Sequence, residues 1–245
     1  MMGAEKYQFE SRLTNGQAWS GWLYLPLHIF VIPILAGIYA QFSTYEIDEA
    51  TINIVYYSIG VLFLAAFMRG YLRDQFDMLL DNLRRCATSL AIAFGMNYAL
   101  AMVVVMALAF VLSGDFANPN QDAIGTLVDT NFRSMAAIVI IMAPFLEETL
   151  FRGVLFGRLY KRGRILAYTV SALVFGIYHV WQYVAIYGDF SMLIYTIQYI
   201  PIGIALAYAY EKSGSIFTSI SLHALNNALA FYLLHALGDR LGAMM

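Results

Sequence analysis

Few side chains in this sequence can do chemistry, and those that can lie in three short stretches of its second half. Glu147, Glu148 and Arg152 interrupt the apolar run from Met135 to Tyr160. His179 follows in Phe175-Gly176-Ile177-Tyr178-His179, and His223 and Asn227 follow in His223-Ala224-Leu225-Asn226-Asn227. On a helix, Glu148 and Arg152 stand one turn apart and can pair. Glu147 points about 100° away, with only Phe151 at the i+4 position. One carboxylate is thereby neutralised and the other is left to react or to bind. Phe175 and His179 share a helical face, as do His223 and Asn227.

A carboxylate in an apolar site takes up a proton more readily and can act as general base on water. An imidazole can hold that water. His and Asn side chains can donate to a developing oxyanion, at about 3–4 kcal/mol per donor in known cases. Alternatively, Glu147, His179 and His223 would make a catalytic zinc shell with an open position. Both routes lead to attack of water on an amide. Each residue also has a plainer role. His179 alone reads as a core histidine, Asn226 and Asn227 as interhelical hydrogen-bonding groups, and Glu148 with Arg152 as an internal ion pair. His28 and His235 read as structural or interfacial, and Gly153, Gly157 and Gly176 as close-packing positions. Taken singly the plain roles win; taken as a constellation they do not.

The elements that must position these groups are membrane helices. Of 245 residues, 61% are hydrophobic and 12% charged, against about 25% charged in a soluble domain. Seven apolar runs are long enough to cross a bilayer, at roughly Trp19–Gln41, Ile52–Met68, Ala87–Ser113, Phe132–Tyr160, Ile165–Tyr187, Phe190–Tyr210 and Ser215–Leu237. Backbone in lipid must satisfy its own hydrogen bonds, so all are expected to be helices. The expected fold is therefore all-α: a polytopic transmembrane helix bundle of about seven spans, or eight. Between the second and third runs, Leu72, Phe76, Leu79, Leu80 and Leu83 fall at helical spacing. They fit either an interfacial amphipathic helix or a loop helix packed on the bundle.

Charge supplies the orientation. Lys6 and Arg12, then Arg69, Arg73, Arg84 and Arg85, then Arg158, Lys161, Arg162 and Arg164, then Lys212 mark alternate connections as basic. The other connections and the tail carry only Arg133 and Arg240, and they hold Glu46, Asp48, Glu49, Asp115, Asp122 and Asp129. The positive-inside rule then places the N-terminus in the cytoplasm and the C-terminus outside. A net charge of −2 argues against nucleic acid as a partner. The single cysteine, Cys86, leaves the redox compartment unreadable. The polar start does not read as a cleavable signal peptide.

The motif Glu147-Glu148-x-x-x-Arg152, then Phe175-x-x-x-His179, then His223-x-x-x-Asn227 resembles the three-part signature of the CPBP (CAAX protease and bacteriocin-processing, or Abi) family, whose eukaryotic relative is the type II CAAX prenyl endopeptidase. The resemblance covers about residues 132–235. It divides the chain into an N-terminal helical part, residues 1–131, that varies in the family, and a catalytic core, residues 132–237. It implies an α-helical intramembrane endopeptidase acting on a lipidated or hydrophobic peptide with membrane lipid as its surroundings; the absence of a signal peptide and the compact cytoplasmic loops fit a prokaryotic cell membrane. By motif position, Glu147 would activate water with His179 beside it, His223 and Asn227 would form the oxyanion site, and Glu148 and Arg152 would support the base. Members are described as metalloproteases, while a metal-free glutamate mechanism has been argued for the prenyl endopeptidase branch. The cofactor is thus either none, the option favoured here, or a divalent metal such as Zn2+ on Glu147, His179 and His223. Two other functions compete: a non-catalytic peptide-binding or immunity protein using the same cavity, and an ion or proton pathway. The lack of acidic residues at depth in spans one, two, three and six speaks against the last.

Overall fold

The computed structural model describes residues 8–44, 48–112 and 118–242. Lys6, Glu46 and Asp115 lie outside them, as do the side chains of Asp122, Asp129 and Arg240. Every regular element among the described residues is a helix. Helix α1, Asn15–Phe42, starts at a capping box in which Thr14 and Gln17 satisfy each other's backbone N–H. Helix α2, Glu49–Asp81, starts where the Asp48 carboxylate accepts the Thr51 N–H at 2.9 Å. Helix α3 is Leu83–Val111. Helix α4, residues 119–130, is separated by non-helical backbone at Asn131 from α5, Asn131–Tyr160. Then come α6, Arg164–Tyr178, the short α7, Trp181–Tyr187, α8, Phe190–Ser213, and α9, Ile216–Gly242.

The expected seven spans become five, or six when a bent pair is counted as one. Two runs account for the difference. The run Ile165–Tyr187 is broken after Tyr178, and its halves α6 and α7 meet at a 40° bend. The run Ser215–Leu237 is one helix of 27 residues, long enough to cross, but Ser219, Ser221, His223, Asn226 and Asn227 dilute its apolar character. Ser219 and His223 are buried, so protein rather than lipid surrounds them.

The second expected span and the amphipathic segment are one helix. α2 continues past Met68, where the backbone departs from helical angles (φ −112°, ψ 0°), and runs on to Asp81. Its far end is packed on the bundle. Tyr71 and Gln75 are buried. The Tyr71 and Tyr210 hydroxyls lie 2.9 Å apart, and the Gln75 side-chain oxygen accepts the Ile216 N–H at 2.8 Å. Phe76, Leu80 and Leu83 face outward.

Helix α5 is the centre. More than half of its apolar window is buried (56%), against 11% for α3, which fits a sequence hydrophobic on all sides. Leu146, Leu150, Phe151 and Val154 pack with Leu64 and Met68 of α2, Leu206 of α8 and Leu222 of α9. Lipid tails are as apolar as these side chains, so helix association here relies on close fit and on buried polar contacts. Glycine permits the fit between α6 and α8: a Cβ on Gly176 would lie 2.8 Å from Thr196, and one on Gly203 would lie 3.0 Å from Ala172.

Candidate active site

Glu147 lies on α5, in a stretch whose hydrogen bonding is loosened by a proline. The turn over Ala137–Met142 is π-helical, with the Ala143 N–H bonded to the Ile138 carbonyl five residues back. In that pattern the next donor, for the Val139 carbonyl, would be residue 144, and Pro144 has no N–H. The Asn227 amide of α9 donates to the Val139 carbonyl instead, at 2.9 Å. Turns of this wide kind inside α-helices recur at functional sites.

Glu148 is neutralised on every side. Its Oε1 accepts an Arg152 guanidinium N–H at 2.8 Å and the His223 Nδ1–H at 2.9 Å. Its Oε2 accepts the Ser219 hydroxyl. Arg152 also donates to the Gly203 carbonyl at 3.1 Å and lies 4.2 Å from the centre of the Phe175 ring. Both charged side chains have no solvent exposure. A buried charge is tolerable only when it is paired and hydrogen-bonded, and this pair is.

Glu147 is different. Its Oε1 accepts hydroxyls from Tyr57, at 3.1 Å, and Tyr178, at 3.3 Å. Its Oε2 is buried and has no hydrogen-bond partner among the described residues. That oxygen lies 3.9 Å from Nε2 of His179 and 3.9 Å from Nε2 of His223.

Both imidazoles are set by what their other nitrogen does. Helix α6 tightens as it ends, and the His179 N–H bonds to Gly176 rather than to Phe175. The Phe175 carbonyl therefore accepts the His179 Nδ1–H at 2.8 Å. A carbonyl can only accept, so in the neutral ring Nε2 carries the lone pair. The same holds for His223, whose Nδ1–H goes to the ion-paired Glu148. His179 also stacks on Tyr199 of α8, with ring centres 4.4 Å apart.

The four groups line one cavity of about 770 Å³ that also reaches α1, α2, α4 and α7. Glu147, His179 and His223 converge on a point. Asn227 lines the same cavity but points one N–H at Val139, with its second N–H left for another acceptor. The three converging atoms are all lone-pair donors, a chemistry that suits water or a divalent metal. Each imidazole Nε2 lies 3.9 Å from the Glu147 oxygen, wider than the roughly 3.4 Å between ligands of a tetrahedral zinc. Among the described residues, no three His, Cys, Asp or Glu side chains are placed to share a metal ion.

His28 is wholly buried behind this site. Its carbonyl accepts the Tyr56 hydroxyl at 2.8 Å and its ring stacks on Tyr56. Asn226 accepts an amide N–H from Asn97 of α3 at 3.1 Å, a link between helices. Three contacts at the site escaped the sequence: Tyr57, Tyr178 and Ser219. Tyrosines in a membrane helix look like interfacial anchors, so nothing marked the first two. Ser219 stands one turn before His223 on the same face, and that spacing was the one available signal.

The fold and site thus define an integral membrane protein with a buried carboxylate and two imidazoles at the meeting point of three helices. Comparison with known proteins narrows this. Residues 129–229 match the family described as Type II CAAX prenyl endopeptidase Rce1-like. The chain is similar to the membrane-embedded CAAX protease MroQ of Staphylococcus aureus (strain USA300), with 29% identity over 143 residues, 54% of this chain and 53% of that protein. The chain spans about half the length of this curated relative. Together the two matches support the CPBP/CAAX protease family for this protein. No solved structure matches it.

Proposed function

We propose that this protein is an intramembrane endopeptidase that hydrolyses a peptide bond of a membrane-anchored substrate, prenylated or simply hydrophobic, by glutamate-activated attack of water. The observation that carries the proposal is Oε2 of Glu147, buried, without a hydrogen-bond partner among the described residues, and equidistant from two bare imidazole nitrogens, one at the end of α6 and one on α9. A water between them gives one proton to Oε2 while His179 orients it. Its oxygen forms a bond to the scissile carbonyl carbon. The second N–H of Asn227 is the donor available to the resulting oxyanion. His223 can donate there only in its doubly protonated form, since its Nδ1–H is already given to Glu148. Glu147 then returns the proton to the departing amide nitrogen as the C–N bond breaks. We infer a prokaryotic cell membrane as the setting, and the basic alternate connections support an N-terminus in the cytoplasm and a C-terminus outside.

The test uses purified protein in detergent with two fluorescence-quenched peptides, one carrying a farnesylated cysteine and one unlipidated and hydrophobic. Cleavage of either by the wild type, lost by at least about 1,000-fold in Glu147→Ala and His179→Ala variants that remain folded, is the expected result. Unchanged turnover in either variant would overturn the proposal. A Glu147→Gln variant that keeps the biological effect would show a binder rather than an enzyme.

A further inference from the structure

Two phenols from opposite halves of the chain end on one oxygen. Tyr57 belongs to α2, in the N-terminal half, and Tyr178 is the last residue of α6, next to His179. Both hydroxyls donate to Oε1 of Glu147, and they lie 3.4 Å from each other. Neither donates to Oε2. The geometry points to Tyr57 and Tyr178 as positioning residues for the proposed base: they hold Oε1, so that Oε2 alone faces the two imidazoles. This inference rests on the hydrolytic function proposed above and extends it to residues outside the three motifs.

A carboxylate turns readily about its last torsion, which has broad wells. Two donors on one oxygen fix that torsion and make the other oxygen the base. The donors are themselves held. The Tyr178 ring packs on Phe151 and on His28, with ring centres 5.3 Å apart in each case. Tyr56, the neighbour of Tyr57, is tied through its hydroxyl to the His28 carbonyl of α1. Helices α1 and α2 thereby set the reactive oxygen on α5. This gives residues 1–131, which carry none of the motif residues, a task in catalysis.

The test uses Tyr57→Phe and Tyr178→Phe in the full chain, substitutions that keep the rings and remove only the hydroxyls. Subtracting the infrared spectrum of a Glu147→Gln partner from each protein isolates the carboxylate stretch of Glu147. That stretch is expected at a different frequency in each Phe variant than in the wild type. With the cleaved peptide as probe, kcat is expected to fall about 10- to 100-fold, the scale of one hydrogen bond to a charged group, with KM within about twofold. A structural role alone would lower the yield of folded protein and leave kcat of the folded fraction unchanged. An unmoved band in both variants, or a moved band with kcat within about twofold of wild type, overturns the inference. If the wild type cleaves neither peptide, the hydrolytic function fails separately, and the infrared comparison still decides whether the phenols orient the carboxylate.

Discussion

The Nδ1–H of His223 and a guanidinium N–H of Arg152 meet on the same oxygen of Glu148, at 2.9 Å and 2.8 Å. One carboxylate thus neutralises a buried arginine and sets the tautomer of an imidazole. Removing its charge does both harms at once. A Glu148→Gln variant leaves the guanidinium buried without the counter-charge it is paired with, at a cost of about 3–5 kcal/mol. Its thermal unfolding is expected to occur at clearly lower temperature. Cys86, the single cysteine, is buried, so a thiol-reactive dye reports the unfolding directly. An unchanged midpoint would show that Arg152 has another partner in the membrane.

At Asn227 the expected order of two variants distinguishes a structural from a purely catalytic group. The Val139 carbonyl needs a donor because Pro144 cannot supply one. Asn227→Leu removes the donor and leaves that carbonyl unsatisfied, at about 1–3 kcal/mol. Asn227→Asp sets an acceptor against an acceptor and is expected to be the less stable of the two. Equal midpoints for wild type and both variants would mean that the bond to Val139 contributes nothing and that Asn227 acts on substrate alone.

The helical nature of the chain, and the stretches that hold the acid, imidazole and amide groups, were legible in the sequence because lipid enforces long apolar runs and makes each charge within them stand out. The pairing of Glu148 with Arg152 followed from helical spacing alone. The number of crossings was not legible. The break after Tyr178 is made by tightened hydrogen bonding at a helix end, and Ile165–Tyr187 reads as one run without it. The polar helix α9 shows the opposite limit: composition cannot tell lipid-facing from protein-facing residues, and Ser219 and His223 are protein-facing. Tyr57 was illegible for a third reason. Its contact with Glu147 spans 90 positions, and no local pattern encodes a contact of that range.

The 3.9 Å separations at Glu147 predict insensitivity to metal removal. Activity on the cleaved peptide is expected to survive dialysis against a strong chelator, and elemental analysis of purified active protein is expected to show well under one zinc per chain. A tetrahedral shell would require both imidazoles to close by about half an ångström. Loss of activity on chelation with full recovery on adding zinc would show that they do so in the working enzyme.

A third buried carboxylate, Glu211, predicts an effect on stability without one on chemistry. It accepts two N–H groups of Arg164, at 2.7 and 3.0 Å, the Tyr160 hydroxyl at 2.8 Å and the Tyr168 hydroxyl. These contacts tie the end of α5 and the start of α6 to the end of α8. The partners differ in exposure: Glu211 is buried, while the Arg164 side chain is 56% exposed. Losing the mostly exposed arginine leaves the carboxylate two phenol donors and the nearby Lys212 charge, so Arg164→Gln is expected to cost under about 1 kcal/mol. Losing the carboxylate removes the acceptor of the Tyr168 hydroxyl and one acceptor of the Tyr160 hydroxyl, so Glu211→Ala is expected to cost about 2 kcal/mol. Tyr160 is 13 residues from Glu147 on α5, about 20 Å along the axis, so kcat of the folded fraction is expected to hold in both variants. Equal costs for the two substitutions would show an exposed ion pair of ordinary weakness rather than a buried carboxylate clasped by three residues.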